Sequence, residues 1–238
     1  MNTILFDLDG TLLPMDQDAF IQSYFKNLVV HFLPYQIPSD KLISAIRYGT
    51  NAMVLNDGTM TNEERFWNSF ATQLGDDIRK LEPEFHKFYE TGFNHAKSST
   101  TKCELAAQVI QILKQKGYTI IIATNPLFPQ IATYNRMAWA GLSPDDVSYV
   151  TTYETCSFCK PNPSYYTEIL QRMNKKPEEC MMVGNDVNED MQVHKLGLSR
   201  YLVTDCLINL NQEDISDIPH GTMEEFYHYI QSLPNVSY

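Results

Sequence analysis

Asp7 and Asp9 stand two residues apart, directly after the apolar run Ile4-Leu5-Phe6. Such a run reads as a short buried strand, and Gly10-Thr11 after the second acid turns the chain. Both carboxylates then lie at the carboxyl end of a strand, where open α/β sheets bind their ligands. Two acids so placed can divide one reaction between them. One can attack phosphorus and carry it as an aspartyl-phosphate. The other can protonate the leaving oxygen and then deprotonate the hydrolytic water, if it lies within hydrogen-bond reach.

Three later stretches hold residue types that would complete this chemistry. Thr124-Asn125 follows the apolar run Tyr118 to Ala123. A hydroxyl, an amide and the backbone N–H groups at such a turn can bind a phosphoryl oxygen. Lys160-Pro161 follows a polar loop, and one ammonium there would hold carboxylates together and neutralise a transferring phosphoryl group. Gly184-Asn185-Asp186-Val187-Asn188-Glu189-Asp190 follows the short apolar run Met181 to Val183. Its oxygen donors suit Mg²⁺, which takes a few carboxylates together with water and phosphate oxygens. The same cluster could also cap a helix.

The elements that must position these residues follow from periodicity. Between Pro14 and Ser99 the apolar spacing is helical: Phe20, Tyr24, Leu28 and Phe32, then Leu42, Ile43 and Ile46, then Phe66, Trp67 and Phe70 after a capping box at Thr61-Glu64. Pro34 and Pro38 end the first helix, and Ser39 is placed to cap the second. A further helix is expected from Pro83 to Ala96. After Thr101 strands alternate with helices. Strands are expected at Tyr118–Ala123, Val147–Thr151, Met181–Val183 and Tyr201–Val203. Helices are expected at Leu105–Lys116, Phe128–Ala140, Ser164–Met173, Asn188–Leu196 and Met223–Leu233. This alternation predicts a doubly wound parallel sheet.

Composition narrows the partners. With 238 residues and 43% apolar content, the chain can bury a sizeable core. A net charge of −11 argues against nucleic acid and against anionic membranes. No charged leader with an apolar core opens the chain and no apolar run approaches a membrane span, so a cytoplasmic protein is expected. The five cysteines, an odd number, suggest reduced thiols. Cys156-Ser157-Phe158-Cys159 could bind Zn²⁺ or form a redox pair, but no second pair of ligands accompanies it. The pair reads as loop cysteines whose oxidation would disturb Lys160.

The string Asp7-Leu8-Asp9-Gly10-Thr11-Leu12, followed in order by Thr124-Asn125, Lys160-Pro161 and the acidic cluster, resembles the four motifs of the haloacid dehalogenase superfamily in its phosphatase branch. The resemblance covers nearly the whole chain. It implies a Rossmann-like α/β core over residues 1–13 and 100–238, with an all-helical cap over residues 14–99 inserted after the first motif. It implies that Asp7 is the nucleophile and a metal ligand, and that Asp9 is the acid/base and ligates Mg²⁺ through its carbonyl. Thr124 would bind the phosphoryl group with backbone help near Asn125 and Gly10. Lys160 would steady Asp7, and Asp186 would ligate Mg²⁺. Many relatives have Gly-Asp where this chain has Gly184-Asn185-Asp186. Asn185 is then either a ligand or a hydrogen-bonding group, and Asp190 either a ligand or a support.

The function implied is Mg²⁺-dependent hydrolysis of a small phosphorylated metabolite, by a monomer or small homo-oligomer. Dehalogenases of the superfamily typically lack the second acid, so Asp9 points to phosphoryl transfer. A phosphomutase resembling β-phosphoglucomutase, or a catalytically idle phosphometabolite-binding protein, are the alternatives. A phosphonate-cleaving relative would need a cap lysine, and Lys26, Lys41 and Lys87 have no context that selects one. Arg47, Tyr48, Asn51, Trp67, Asn94 and His95 are the candidates for reading substrate from the cap.

Overall fold

The computed structural model describes residues 1–236. Strand β1 (Thr3–Phe6) is buried throughout and opens the chain. Four helices follow without an intervening strand: α1 (Gln17–Phe32), α2 (Ser39–Val54), α3 (Asn62–Leu74) and α4 (Glu82–Glu90). The chain then alternates through α5 (Glu104–Gln115), β2 (Thr119–Ile122), α6 (Gln130–Trp139), β3 (Tyr149–Val150), α7 (Pro163–Arg172) and β4 (Cys180–Gly184). Strands β5 (Ser199–Val203) and β6 (His220–Gly221) and helix α8 (Met223–Ser232) complete it.

The six strands form one sheet in the order β3-β2-β1-β4-β5-β6. All pairings are parallel. Strand β1 is central, with Phe6 paired to Ile122 on one side and Val183 on the other. The winding reverses between β1 and β4, and the crevice outside the carboxyl ends of those strands is where such sheets take ligands. The doubly wound α/β sheet with a helical insert is therefore as expected.

The insert is held to the sheet in two ways. Its two chain crossings lie side by side: Met15 and Thr100 form an antiparallel bridge, and Asp16 N–H donates to the Ser99 carbonyl at 3.0 Å. Aromatic side chains also cross the boundary. Phe93 stacks on Trp139 at 5.3 Å, and Phe20 meets Phe128 edge-on at 6.2 Å. Within the insert Phe32, Phe85, Trp67 and Phe70 pack ring against ring.

Three local expectations differ from what is found, and one short strand is additional. The chain enters α2 at Pro38, so Ser39 lies inside the helix and caps nothing. The helix expected from Pro83 to Ala96 stops at Glu90, and residues Gly92–Ser99 form a 3₁₀ segment. Gly92 weakens the helix there. The helix expected from Asn188 is replaced by turns and a 3₁₀ segment over Met191–Leu196. Asp186 and Asp190 compete for the local N–H groups: Asp186 Oδ1 accepts from Asn188 and Glu189, and Asp190 Oδ2 accepts from Asp186. Strand β6, two residues long, carries too little pattern to be read.

Candidate active site

Asp7 continues the ladder for one residue beyond β1, its N–H donating to the Val183 carbonyl at 2.8 Å. The chain then folds back, with Gly10 N–H and the Leu13 carbonyl 2.8 Å apart. Gly10 has φ +84°, and a Cβ there would run into the Asn185 side chain. Glycine is thus required twice, by backbone conformation and by contact. Asn185 is fully engaged: its Oδ1 accepts from the Thr11 hydroxyl at 3.0 Å and its amide donates to the Cys206 carbonyl at 2.7 Å. It ties the loop after β4 to the loop after β1.

Lys160 joins the two loops electrostatically. Its ammonium is 2.8 Å from Asp7 Oδ1 and 2.7 Å from Asp190 Oδ1, with only 1% of its side chain exposed. Burial alone would push the lysine down, but Asp190 and Asp7 outweigh it and hold Lys160 well above its ordinary value. Asp190 is buried, and its other oxygen accepts from the Asp186 N–H at 3.1 Å. Gly184 leaves the space for that carboxylate, since a Cβ would overlap it. Burial pushes the Asp190 carboxyl up, with Lys160 pulling the other way. Asp190 therefore faces the lysine and the backbone, while Asp186 turns one carboxylate oxygen to its own loop.

Thr124 is buried, and its carbonyl accepts from the Thr151 hydroxyl at 2.6 Å and the Tyr165 hydroxyl at 2.9 Å. The ends of β3 and α7 thus fix the turn after β2. The Asn125 amide donates to Glu189 at 3.1 and 3.2 Å. Asn125 Oδ1 is buried without a hydrogen-bond partner. Burial raises the Glu189 carboxyl.

Asp9 has a partner that the motifs did not indicate. Its Oδ2 pairs with Arg136 Nη1, while its Oδ1 is buried and unpartnered. Arg136, 1% exposed on α6, is fixed by the Ala132 carbonyl and the Thr133 hydroxyl, and its guanidinium lies 4.8 Å from the centre of the Phe128 ring. Burial raises the Asp9 carboxyl, against the pull of Arg136. One sequence signal was available: Arg136 falls midway between Ala132 and Ala140 on the buried face of its helix.

The donors at the carboxyl ends of the adjacent strands β1 and β4 are hard oxygens: the Asp7 carboxylate and the carbonyls of its loop, and the Asp186 carboxylate, whose Oδ1 is turned to its own loop. Mg²⁺ needs only one or two carboxylates and keeps waters and phosphate oxygens besides, so these residues fit it. Among the described residues, no three His, Cys, Asp or Glu side chains converge as a ready-made cluster. The five cysteines are free thiols; Cys156 and Cys159 are buried, and Cys159 Sγ accepts from the Asn62 amide at 3.3 Å. Among the described residues no helix is long and apolar enough to cross a membrane.

A cavity of about 1330 Å³ opens between the helical insert and the loops after β2 and β3. Asp9 lines it, with Arg47, Asn51 and Trp67. Tyr48, Asn94 and His95 do not.

Comparison with known proteins agrees with this architecture. The family model for haloacid dehalogenase-like hydrolases matches residues 1–195. Pyrophosphatase PpaX of Anoxybacillus flavithermus is 27% identical over 191 residues, covering 78% of this chain and 75% of that protein. The PpaX of Bacillus thuringiensis is 24% identical over 186 residues, with the same coverage. A HAD phosphatase structure from Thermococcus onnurineus superposes with a TM-score of 0.61 at 19% identity, over 99% of this chain and 100% of that one. A 2-haloacid dehalogenase from Pseudomonas syringae pv. Tomato gives 0.62 at 14% identity, over 98% and 99%. These likenesses in structure carry the fold, and the match along the sequence carries the family: the chain belongs to the haloacid dehalogenase-like hydrolases.

Proposed function

We propose that the protein is a Mg²⁺-dependent phosphatase that hydrolyses a small phosphorylated metabolite through an aspartyl-phosphate on Asp7. The observation that carries this reading is the buried Lys160 ammonium bridging Asp7 at the end of β1 and Asp190 in the loop after β4. Lys160 fixes Asp7 Oδ1, which leaves Oδ2, 3.4 Å from the Thr11 hydroxyl, as the attacking oxygen. The same ammonium lowers the cost of bringing a phosphoryl group to a carboxylate. Thr124 and the backbone N–H groups near Asn125 and Gly10 receive the phosphoryl oxygens.

Asp9 supplies the proton to the leaving oxygen and then takes one from water. Its raised affinity for protons suits the first task, and its unpartnered Oδ1 suits the second. Asp7, Asp186 and the Asp9 carbonyl would hold Mg²⁺, whose charge when bound offsets the repulsion between carboxylate and phosphate. Asn185 and Asp190 are supports: one pins two loops together and the other pins Lys160. Residues 14–99 act as the cap, moving about the paired crossings at Met15 and Thr100.

The test is phosphate release from para-nitrophenyl phosphate and from a metabolite panel that includes pyrophosphate, the compound named by the PpaX relatives. Turnover with Mg²⁺, lost in EDTA and in Asp7→Asn, is the expected result. Phosphoryl exchange between sugar positions without release would indicate a mutase. Folded protein that binds these compounds and turns over none of them would remove the reading.

A further inference from the structure

Among Asp7, Asp9, Thr124, Lys160 and Asp186, only Asp9 lies on the wall of the large cavity. An acid that protonates the leaving oxygen must face the leaving group. On the reading above, the cavity is therefore the space for the leaving alcohol.

Its wall is aromatic, starting beside the chemistry. The Arg136 guanidinium that pairs with Asp9 rests on the Phe128 ring. The Phe128 carbonyl accepts from the Tyr153 N–H at 3.2 Å. The Tyr153 hydroxyl lies beside Glu63 and the Trp67 indole. Phe66 and Tyr134 extend the wall. Tyr134 and Tyr153 are only half-buried and line the cavity, while Phe66 and Phe128 each have one face covered, by Phe70 and Arg136, and present the rest to it. A cavity of about 1330 Å³ exceeds the roughly 300–1,000 Å³ that holds a drug-sized ligand, and a two- or three-carbon alcohol would leave it mostly filled with water.

The charges point the same way. Arg136 is already paired with Asp9, Arg79 with Glu82, and Lys80 with Asp77. Glu63 and Glu154 face the cavity, and burial together with Glu154 and Glu82 raises the Glu63 carboxyl. Arg47 lies over the Phe25 ring at 5.4 Å, on the insert rather than at Asp9. A second phosphate beside Asp9 would meet the Phe128 ring and a guanidinium already engaged by Asp9.

We propose that the physiological substrate is a phosphomonoester of a planar aromatic or heteroaromatic alcohol, and that pyrophosphate and sugar phosphates are poor substrates. Aromatic faces recognise such rings by offset or edge-on stacking in addition to area burial.

The experiment compares kcat/KM, with Mg²⁺, for benzyl phosphate and cyclohexylmethyl phosphate. These differ in having or lacking a flat π face but release similarly unactivated alcohols. Pyridoxal 5′-phosphate, flavin mononucleotide, glucose 6-phosphate and pyrophosphate complete the panel. The expected result is a preference of about 30-fold for the flat esters, equivalent to about 2 kcal/mol. In Tyr153→Leu the preference should shrink to within about threefold, because the aromatic esters lose more than the saturated ones. Equal kcat/KM for benzyl and cyclohexylmethyl phosphate, with turnover still abolished in Asp7→Asn, overturns this inference while leaving the phosphatase reading standing. Pyrophosphate as the best substrate overturns it as well. No Mg²⁺-dependent turnover of any compound overturns both. If Tyr153→Leu fails to fold, the wild-type panel decides alone.

Discussion

Arg136 and Asp9, 127 residues apart in the chain, are paired side chain to side chain, the buried guanidinium behind an aspartate that lines the cavity. The guanidinium is buried and held on three sides, so it fixes where the Asp9 carboxylate stands. An acid/base must be aimed as well as ionisable. On the proposed reading of Asp9 as acid/base, Arg136 is its positioning residue.

Replacing it separates two kinds of substrate. Arg136→Met should lower kcat/KM for an alkyl phosphate by about 10²-fold, the low end of what acid–base assistance contributes. The loss on para-nitrophenyl phosphate should be about tenfold smaller, because that leaving group departs without a proton. Arg136→Lys keeps the charge but not the fork of contacts and should fall between. Equal losses on both esters would mean that Arg136 serves only the fold.

Lys160 is the second electrostatic anchor. In Lys160→Met, Asp7 and Asp190 lose the cation between them, and removing one partner of a buried pair costs about 3–5 kcal/mol. The variant should also lose stability more steeply than the wild type as pH rises from acid to neutral. Burial and Asp7 raise the Asp190 carboxyl, and in the variant Lys160 no longer opposes them. A carboxyl with a raised folded-state pKa binds more protons folded than unfolded, so stability falls as pH rises from its unfolded value through its folded one. Urea midpoints measured in EDTA should therefore be higher at acid than at neutral pH. A midpoint that climbs from acid to neutral pH would count against this account of Asp190.

Gly10→Ala tests the turn after β1. A side chain there meets both an unfavourable φ of +84° and the Asn185 amide. The expected cost is about 1–3 kcal/mol in thermal or urea unfolding, with a fall in kcat larger than the change in KM. Unchanged stability would mean that the loop relaxes freely.

The cysteines near Lys160 should be inert. Burial pushes the Cys156 thiol up to about 11 and raises Cys159 further. Both stay protonated until the pH approaches those values, and the thiolate is the reactive form. Alkylation of the folded protein at neutral pH, mapped by mass spectrometry, should label Cys103 and Cys206 and spare Cys156 and Cys159. Replacing the latter pair with Ser should leave peroxide sensitivity unchanged. Labelling of Cys159 in the folded protein would restore a redox role for the loop.

The strand ends were legible because each apolar run stops abruptly at a polar group: Phe6 at Asp7, Ala123 at Thr124, Gly184 at Asn185. Those stops are local, and so is the helical spacing of Phe20, Tyr24 and Leu28. What could not be read depends on contacts distant in the chain or on side-chain direction. Arg136 and Asp9 meet only once the sheet has formed. Asp186 and Asp190 are equivalent in composition, and their difference lies in Gly184 leaving room for one of them. The short strand β6 is defined by its pairing to β5, with Leu202 opposite His220, rather than by any pattern of its own.

The covalent step on Asp7 is tested most directly by pre-steady-state kinetics of Asp9→Asn with para-nitrophenyl phosphate and Mg²⁺. This leaving group needs no acid, but hydrolysis of the aspartyl-phosphate still needs the base. The expected trace is a burst of para-nitrophenolate stoichiometric with enzyme, then a near halt, with phosphate recovered on the peptide containing Asp7. No burst from folded Asp9→Asn, or a burst that persists when Asp7 is also replaced by Asn, would contradict the account.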